Sequence, residues 1–405
     1  MLMKCFIIFI VYEIYEIGDM LMSKPKQNPF KPGAGFTPPL LIGRDTDIDD
    51  FIEGLDNGPG APSRLMRITG ARGIGKTVLL SRFAEIAKTR GWDVIRESAS
   101  NGLTTRLVTL LQPAGKGKHE FTLAPNVNVA GMFGGSLGSY HYESPQQMPL
   151  TLTEALRTRI TTLEHKNAGL LILIDEAQAA TQDDMVAIAN AAQTMNVEGR
   201  DYALVFAGLP SMSSKWLNND ATTFMRRAEP HALRDIPLDI VSQAFAETFA
   251  ATDKILTGES LQQATSATYG YPFMIQLVGY YIWSQAQRNH PDNPTITLED
   301  TTNGIGKALS RLGETVHGPE LDSLSSVDRT YLLAMAQDDG PSSTSVIAER
   351  LGKGVSYAGN YRARLLEAQV IENKGYGLVD FAIPYLRQYL KDHIAYYMMQ
   401  ERNNE

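Results

Sequence analysis

The sequence predicts an α/β fold: a parallel sheet flanked by helices, then a helical subdomain, then a small C-terminal unit of short helices and a hairpin. Three observations predict it. From residue 64 to about 237, strand-like apolar runs alternate with helical patterns. From residue 239 to about 312 the apolar period is helical only. Beyond residue 325, three short helical patterns lead into a strand-turn-strand around "NKGYG".

Five strands are expected in the first unit, residues 40–238: "RLMRITG", "DVIRESAS", "GLLILID", "YALVFAGL" and the short "LRDIPL" at residues 233–238. Between the second and third lies a Gly- and Asn-rich stretch with alternating apolar residues. It is too long for a plain loop, which predicts a β-hairpin insertion over about residues 114–147 with a mobile tip. The helical subdomain, residues 239–318, contains "DIVSQAFAETFAA", "ESLQQATSATYG", "PFMIQLVGYYIWSQA" and "TLEDTTNGIGKALSRL", punctuated by the turn "RNHPDNPTI". The C-terminal unit, residues 319–392, opens on "SSVD", a capping-box signature, and a tail follows at 393–405. There is no internal repeat.

A chain of 405 residues with 43% hydrophobic and 20% charged residues is an ordinary globular protein, large enough for two or three cores. The net charge of -8 argues against a surface that coats nucleic acid indiscriminately, and the single Cys5 excludes an internal disulfide and fits a reducing cytoplasm. Residues 1–39 read as a leader and a flexible N-terminus. Its apolar opening run is broken by Glu13 and Glu16 and lacks a small-residue cleavage site, so a secretory signal is disfavoured and no membrane span is expected. A start assigned too early, with Met20 or Met22 as the true first residue, explains residues 1–19.

The chemistry is concentrated at "GARGIGKT", which satisfies G-x-x-x-x-G-K-[ST] between a strand and a helix. Gly70, Ala71, Arg72, Gly73, Ile74 and Gly75 would turn backbone N–H groups toward phosphate oxygens at the positive end of the helix carrying Val78. Lys76 would reach the terminal phosphates, and Thr77 would ligate magnesium. "GLLILIDEAQ" supplies the second half: a strand buried on both faces with carboxylates at its C-terminal end, where open α/β sheets place ligands. Asp175 would hold the metal through water, and Glu176 would orient or deprotonate the attacking water.

These two motifs, with "LIGRDTDIDDFIEGL" upstream and the helical segment "GYPFMIQLVGYYIW", resemble AAA+ or STAND-type P-loop ATPases. The likeness is greatest to the origin-recognition-like ATPases and to bacterial and phage-associated proteins of the same layout. It spans nearly all of residues 40 to 390. The resemblance implies ATP and Mg2+ as ligands and a helical subdomain that closes as a lid, with "GYP" and Pro272 at the start of the lid helix. It sets Gly43 and Arg44 beside the adenine; a loop glycine before a capped helix is the alternative reading of that pair. It also marks Arg226 and Arg227 as the region of an arginine finger acting on a neighbouring subunit, against a basic patch on a solvated helix.

Two departures from the family pattern point to slow turnover. "LVFAGLP" ends without the polar sensor residue many members carry, Ser211 being the nearest candidate, and the lid helix lacks the sensor arginine.

The order of the C-terminal unit resembles a winged helix-turn-helix domain, with "SVIAERL" as second helix, "GKGV" as turn and residues 356–368 as recognition helix. On a helical wheel Ala358, Tyr361 and Leu365 face inward, leaving Tyr357, Asn360 and Arg364 exposed. Those types suit duplex DNA, with Lys353, Arg362 and wing residue Lys374 lining one face. The balanced charge of the unit and the position of Glu367 lack the basic footprint of a DNA reader, which leaves protein docking as the alternative. The expected protein is therefore a cytoplasmic ATPase acting as a nucleotide-dependent switch, DNA-associated and able to self-assemble with ATP. The rival is a STAND-like signalling switch whose winged helix binds protein. A motor that remodels DNA or protein fits least, since no pore-loop motif is recognisable.

Overall fold

Five strands, β1 (Leu65–Thr69), β2 (Asp93–Ser98), β3 (Leu170–Asp175), β4 (Tyr202–Gly208) and β5 (Glu229–Ala232), pair in parallel in the order β2-β3-β4-β1-β5. This is seen in a computed structural model, in which the described residues are 27–33, 41–112, 150–212, 220–397 and 399. The expected hairpin at 114–147 lies outside them. Every residue of β3 and β4 is buried, as their unbroken apolar runs require of strands covered on both faces.

Alternation along these strands splits the core in two. Leu171, Leu173, Ala203 and Val205 pack on one side against α1 (Asp45–Asp56) and α2 (Lys76–Thr89), where Phe51 and Phe83 stack at 4.1 Å. Leu170, Ile172, Leu204 and Phe206 face the other side, covered by α3 (Leu103–Leu111), α4 (Leu152–Glu164) and α5 (Gln182–Val197).

The last strand is displaced from its expected place. Instead of residues 233–238, β5 uses Glu229–Ala232, although Pro230 lies within it. Proline is tolerated because β5 is an edge strand. The following residues run as a loop, and Ile236 spends its N–H on the Gly270 carbonyl. From β5, His231 donates Nδ1–H to Asp47 of α1 at 2.8 Å. That bond, with the charges of Asp47, Glu229 and Asp50, raises the histidine pKa against the opposing effect of burial. A raised folded-state pKa stabilises the protein below the ordinary histidine range and ceases to do so as pH rises through the folded value. His231→Gln is therefore expected to lower Tm by roughly 2–4 °C at about pH 5.5, the deficit shrinking by about pH 8.5. Thermal melts across pH check this.

The helical subdomain is formed by α6 (Leu238–Ala250), α7 (Gly258–Ser266), α8 (Pro272–Asn289) and α9 (Leu298–Leu312). Part of the N-terminus expected to be flexible is docked here. Phe30 is buried against Phe245 and Phe249, and its ring fills the space a Cβ on Gly279 would take. Asn28 bonds the Tyr280 carbonyl and Ser284, so one aromatic side chain and its polar neighbour anchor the segment.

A short α10 (Gly318–Asp322) leads to the C-terminal unit: α11 (Ser326–Ala336), β6 (Ser342–Ser343), α12 (Thr344–Arg350), α13 (Val355–Glu367), β7 (Ile371–Gly375), β8 (Leu378–Phe381) and α14 (Leu386–Asp392). The small sheet runs β6-β8-β7 with antiparallel pairs, an arrangement consistent with a winged helix-turn-helix domain. Among the described residues no helix is long and apolar enough to cross a membrane.

Candidate nucleotide site

Between β1 and α2 the chain turns through two left-handed glycines, Gly73 at φ 72° and Gly75 at φ 94°. Gly70 needs its missing Cβ for another reason: an added carbon would lie 2.7 Å from the Ile74 side chain. The loop is held from below by buried Arg44, which donates to the carbonyls of Ile74 at 3.1 Å and Arg234 at 2.9 Å. Arg44 thus fixes the loop's shape, with Gly43 beside it at φ 63° against Ile236.

Lys76 is buried and donates Nζ hydrogen bonds to the carbonyls of Gly70 at 2.9 Å and Ala71 at 2.8 Å. Burial lowers its pKa, while the nearby charges of Glu176 and Asp175 act the other way. Thr77 Oγ1 donates to Asp175 Oδ2 at 2.7 Å, joining the start of α2 to the end of β3. This juxtaposition of hydroxyl, carboxylate and ammonium fits a divalent cation carried on phosphate oxygens. Val78, one residue on, is half-buried.

Glu176 follows on an exposed, left-handed position at φ 49°. Three further groups were not singled out from the sequence. Arg96 of β2 stands 3.8 Å from Asp175 Oδ2 and donates to the Thr77 carbonyl and to Ser81 Oγ. Gln178 donates Nε2 to Glu176 and accepts the Leu209 N–H at 3.0 Å. Tyr271, just before Pro272 opens α8, donates its hydroxyl to the Arg72 carbonyl at 2.8 Å, so the helical subdomain touches the phosphate loop directly. Only the "DEAQ" spelling and the "GYP" turn marked the last two beforehand, and a parallel register placing Ser98 opposite Asp175 is what brings β2 alongside.

The C-terminal unit reaches the same loop. Glu320 of α10 is buried and pairs with Arg72 at 2.7 Å. Burial raises the Glu320 pKa and Arg72 opposes the rise. Near Arg44, Asp235 lies within electrostatic range of Glu372 and Lys374 of the wing; burial raises its pKa first, then Glu372.

Arg226 and Arg227 are both exposed, at the end of a 3-10 segment, Asp220–Arg227. On α13 Ala358 and Leu365 are buried and Asn360 exposed, as the helical wheel predicts. Tyr357 is half-buried rather than open, its ring 4.9 Å from Tyr361 and beneath Lys353. Arg364 is exposed yet committed, because it pairs with buried Asp328 and bonds Ser325. Arg362 is half-buried and contacts Asn373, and Lys374 pairs with Glu372 at 2.7 Å. Helix-wheel reasoning missed the Arg364 pairing because Asp328 comes from another element, α11.

Residues 40–205 match the AAA ATPase domain family, and residues 314–390 match a domain of unknown function, DUF8462. The chain thus carries an ATP-binding P-loop ATPase domain of the AAA+ type. Its fold is similar to that of the Aeropyrum pernix ORC2 protein, solved as ADPNP-ADP complexes: 14% identity, TM-score 0.59, covering 91% of this chain and 98% of that one. The Walker-type ATPase PABY2304 of Pyrococcus abyssi is similar too, at 17% identity and TM-score 0.60, covering 87% of this chain and 96% of that one. No curated protein matches the sequence.

Proposed function

We propose that the protein is a slow, cytoplasmic ATP hydrolase working as a switch, in which nucleotide governs how the winged helix is presented to duplex DNA. The observation that carries this reading is the Arg72–Glu320 pair, which ties the phosphate loop to the C-terminal unit. Bound phosphates attract the loop's N–H groups and Lys76, and any shift of the loop is felt by a carboxylate buried on the far side of that pair. Thr77, and Asp175 through water, would hold Mg2+, which would supply charge neutralisation on the phosphate oxygens. Lys76 lies beside the terminal phosphates, and Glu176 takes a proton from the water that attacks the γ-phosphorus as the bond to ADP breaks. Arg226 or Arg227 serves a neighbouring subunit when the protein self-assembles with ATP.

DNA contact rests on exposed Asn360 with Lys353, Arg362, Arg364 and Lys374 around it. A second reading, docking of a protein by the winged helix, draws on the internal use of charge: Arg350–Asp338, Arg364–Asp328, Lys374–Glu372, Arg387–Asp380 and Lys391–Asp339 are all paired within the unit.

The test is duplex affinity across a salt series with ATP or ADP, beside Glu320→Gln, which keeps the shape and removes the charge. Coupled sites commonly differ by about 5–150-fold, so affinity with ADP in the variant should rise toward the ATP-bound level by that order. A linear fall in log affinity with log salt supports phosphate contact. Affinity too weak to measure in every state, with ATP-dependent self-association intact, would move the output to protein docking.

A further inference from the structure

We infer that Gln178 is a positioning residue for hydrolysis, clamping Glu176 to the end of β4 through an amide whose orientation the backbone dictates. The inference rests on the hydrolytic reading above. The Leu209 N–H donates to Gln178 Oε1 at 3.0 Å, so the amide oxygen is fixed there and Nε2 is turned toward the Glu176 carboxylate, which it meets at 2.5 Å. An amide held at one end has one face left to offer, and here that face is a donor.

The surroundings are shaped for this clamp. Gly208 ends β4, and a Cβ there would come 2.5 Å from Gln178 Oε1, so any other residue would push the amide away. Gln178 is half-buried, whereas Glu176 is exposed on a short left-handed turn at φ 49°. An exposed carboxylate on one strained residue has wide rotamer freedom unless something holds it. Gln178 supplies a side-chain bond that does so. Through Leu209 the clamp is anchored to the sheet, so Glu176 is positioned relative to β4 as well as to its own strand β3.

A misplacement of about 1 Å at a reacting group can cost on the order of 10²-fold. The experiment is steady-state ATP hydrolysis with ATP binding measured separately, for wild type, Glu176→Gln, Gln178→Leu, Gln178→Glu and Gly208→Ala. Gln178→Leu should lower kcat about ten- to a hundredfold and leave KM and nucleotide affinity within about twofold. Gln178→Glu keeps an acceptor for Leu209 but faces Glu176 with a second carboxylate. The two carboxylates repel, so Glu176 loses its clamp and kcat should fall at least as far as in the leucine variant while nucleotide affinity holds. A merely structural role would lower binding and turnover together. Gly208→Ala keeps the amide and displaces it, and should reproduce the kcat loss if the leucine variant fails to fold. Wild-type kcat in Gln178→Leu, with Glu176→Gln inactive, overturns the clamp and leaves the hydrolytic reading standing. Wild-type turnover that does not depend on Glu176 overturns both.

Discussion

Glu176→Gln is expected to reduce ATP hydrolysis about 10²–10⁴-fold, the usual contribution of a positioned general base, while ATP binding stays within about twofold. The substitution is nearly isosteric and removes only the capacity to accept a proton. Glu176 lies one residue beyond Asp175, so it shares the C-terminal end of β3 with the carboxylate that meets Thr77, yet it is exposed where Asp175 is buried. The two carboxylates are thereby given different tasks: the buried one already spends an oxygen on Thr77, and the exposed one is open to a water. Single-turnover hydrolysis and equilibrium binding of a nucleotide analogue separate the two effects. Unchanged turnover would remove Glu176 from the reaction, whereas lost binding would make it part of the nucleotide cradle.

How far the sequence disclosed this arrangement depended on whether a signal was local. "GARGIGKT" and "LLILIDE" were legible because each motif carries its own strand and helix context, and the buried parallel strand needs the apolar run that was read. Phe30 was not legible: one aromatic in a polar, Pro-rich stretch has no period, and its partners Phe245, Phe249 and Gly279 lie far along the chain. β5 was misplaced by a few residues because Pro230 hides an edge strand, while the apolar "LRDIPL" beside it resembles one. The contacts that bind the units together were out of reach for the same reason. Arg72 with Glu320 is a pair between distant elements, and only the tertiary fold decides which carboxylate meets which guanidinium. Gln178 stood in plain view within "DEAQ", but its role depends on Leu209 at the end of another strand.

Lys76→Met should weaken ATP binding about 10²-fold and, without nucleotide, leave thermal stability unchanged or raised. The first half follows from charge: a hydrogen bond to an ionised partner contributes about 1.5–3 kcal/mol, and 1.4 kcal/mol is a factor of about ten in affinity. The second half follows from where the ammonium sits. Lys76 is buried with two backbone carbonyls as hydrogen-bond partners, and burial pushes its pKa below the ordinary lysine value. A cation whose folded-state pKa is depressed is charged at neutral pH at a cost to the fold, and that cost is relieved as pH rises through the depressed value toward the ordinary one. Methionine keeps the length and apolar stem of lysine without the charge. The carbonyls of Gly70 and Ala71 lose a donor, which limits any gain, so the net change in Tm should be small. Opposite signs for affinity and stability would identify Lys76 as a residue retained for its ligand at the expense of the fold. Melting of both proteins with and without ATP tests the pair: wild type should gain several degrees with saturating ATP, and the variant should gain little. A variant that melts far below wild type without nucleotide would instead make the ammonium a structural brace of the phosphate loop.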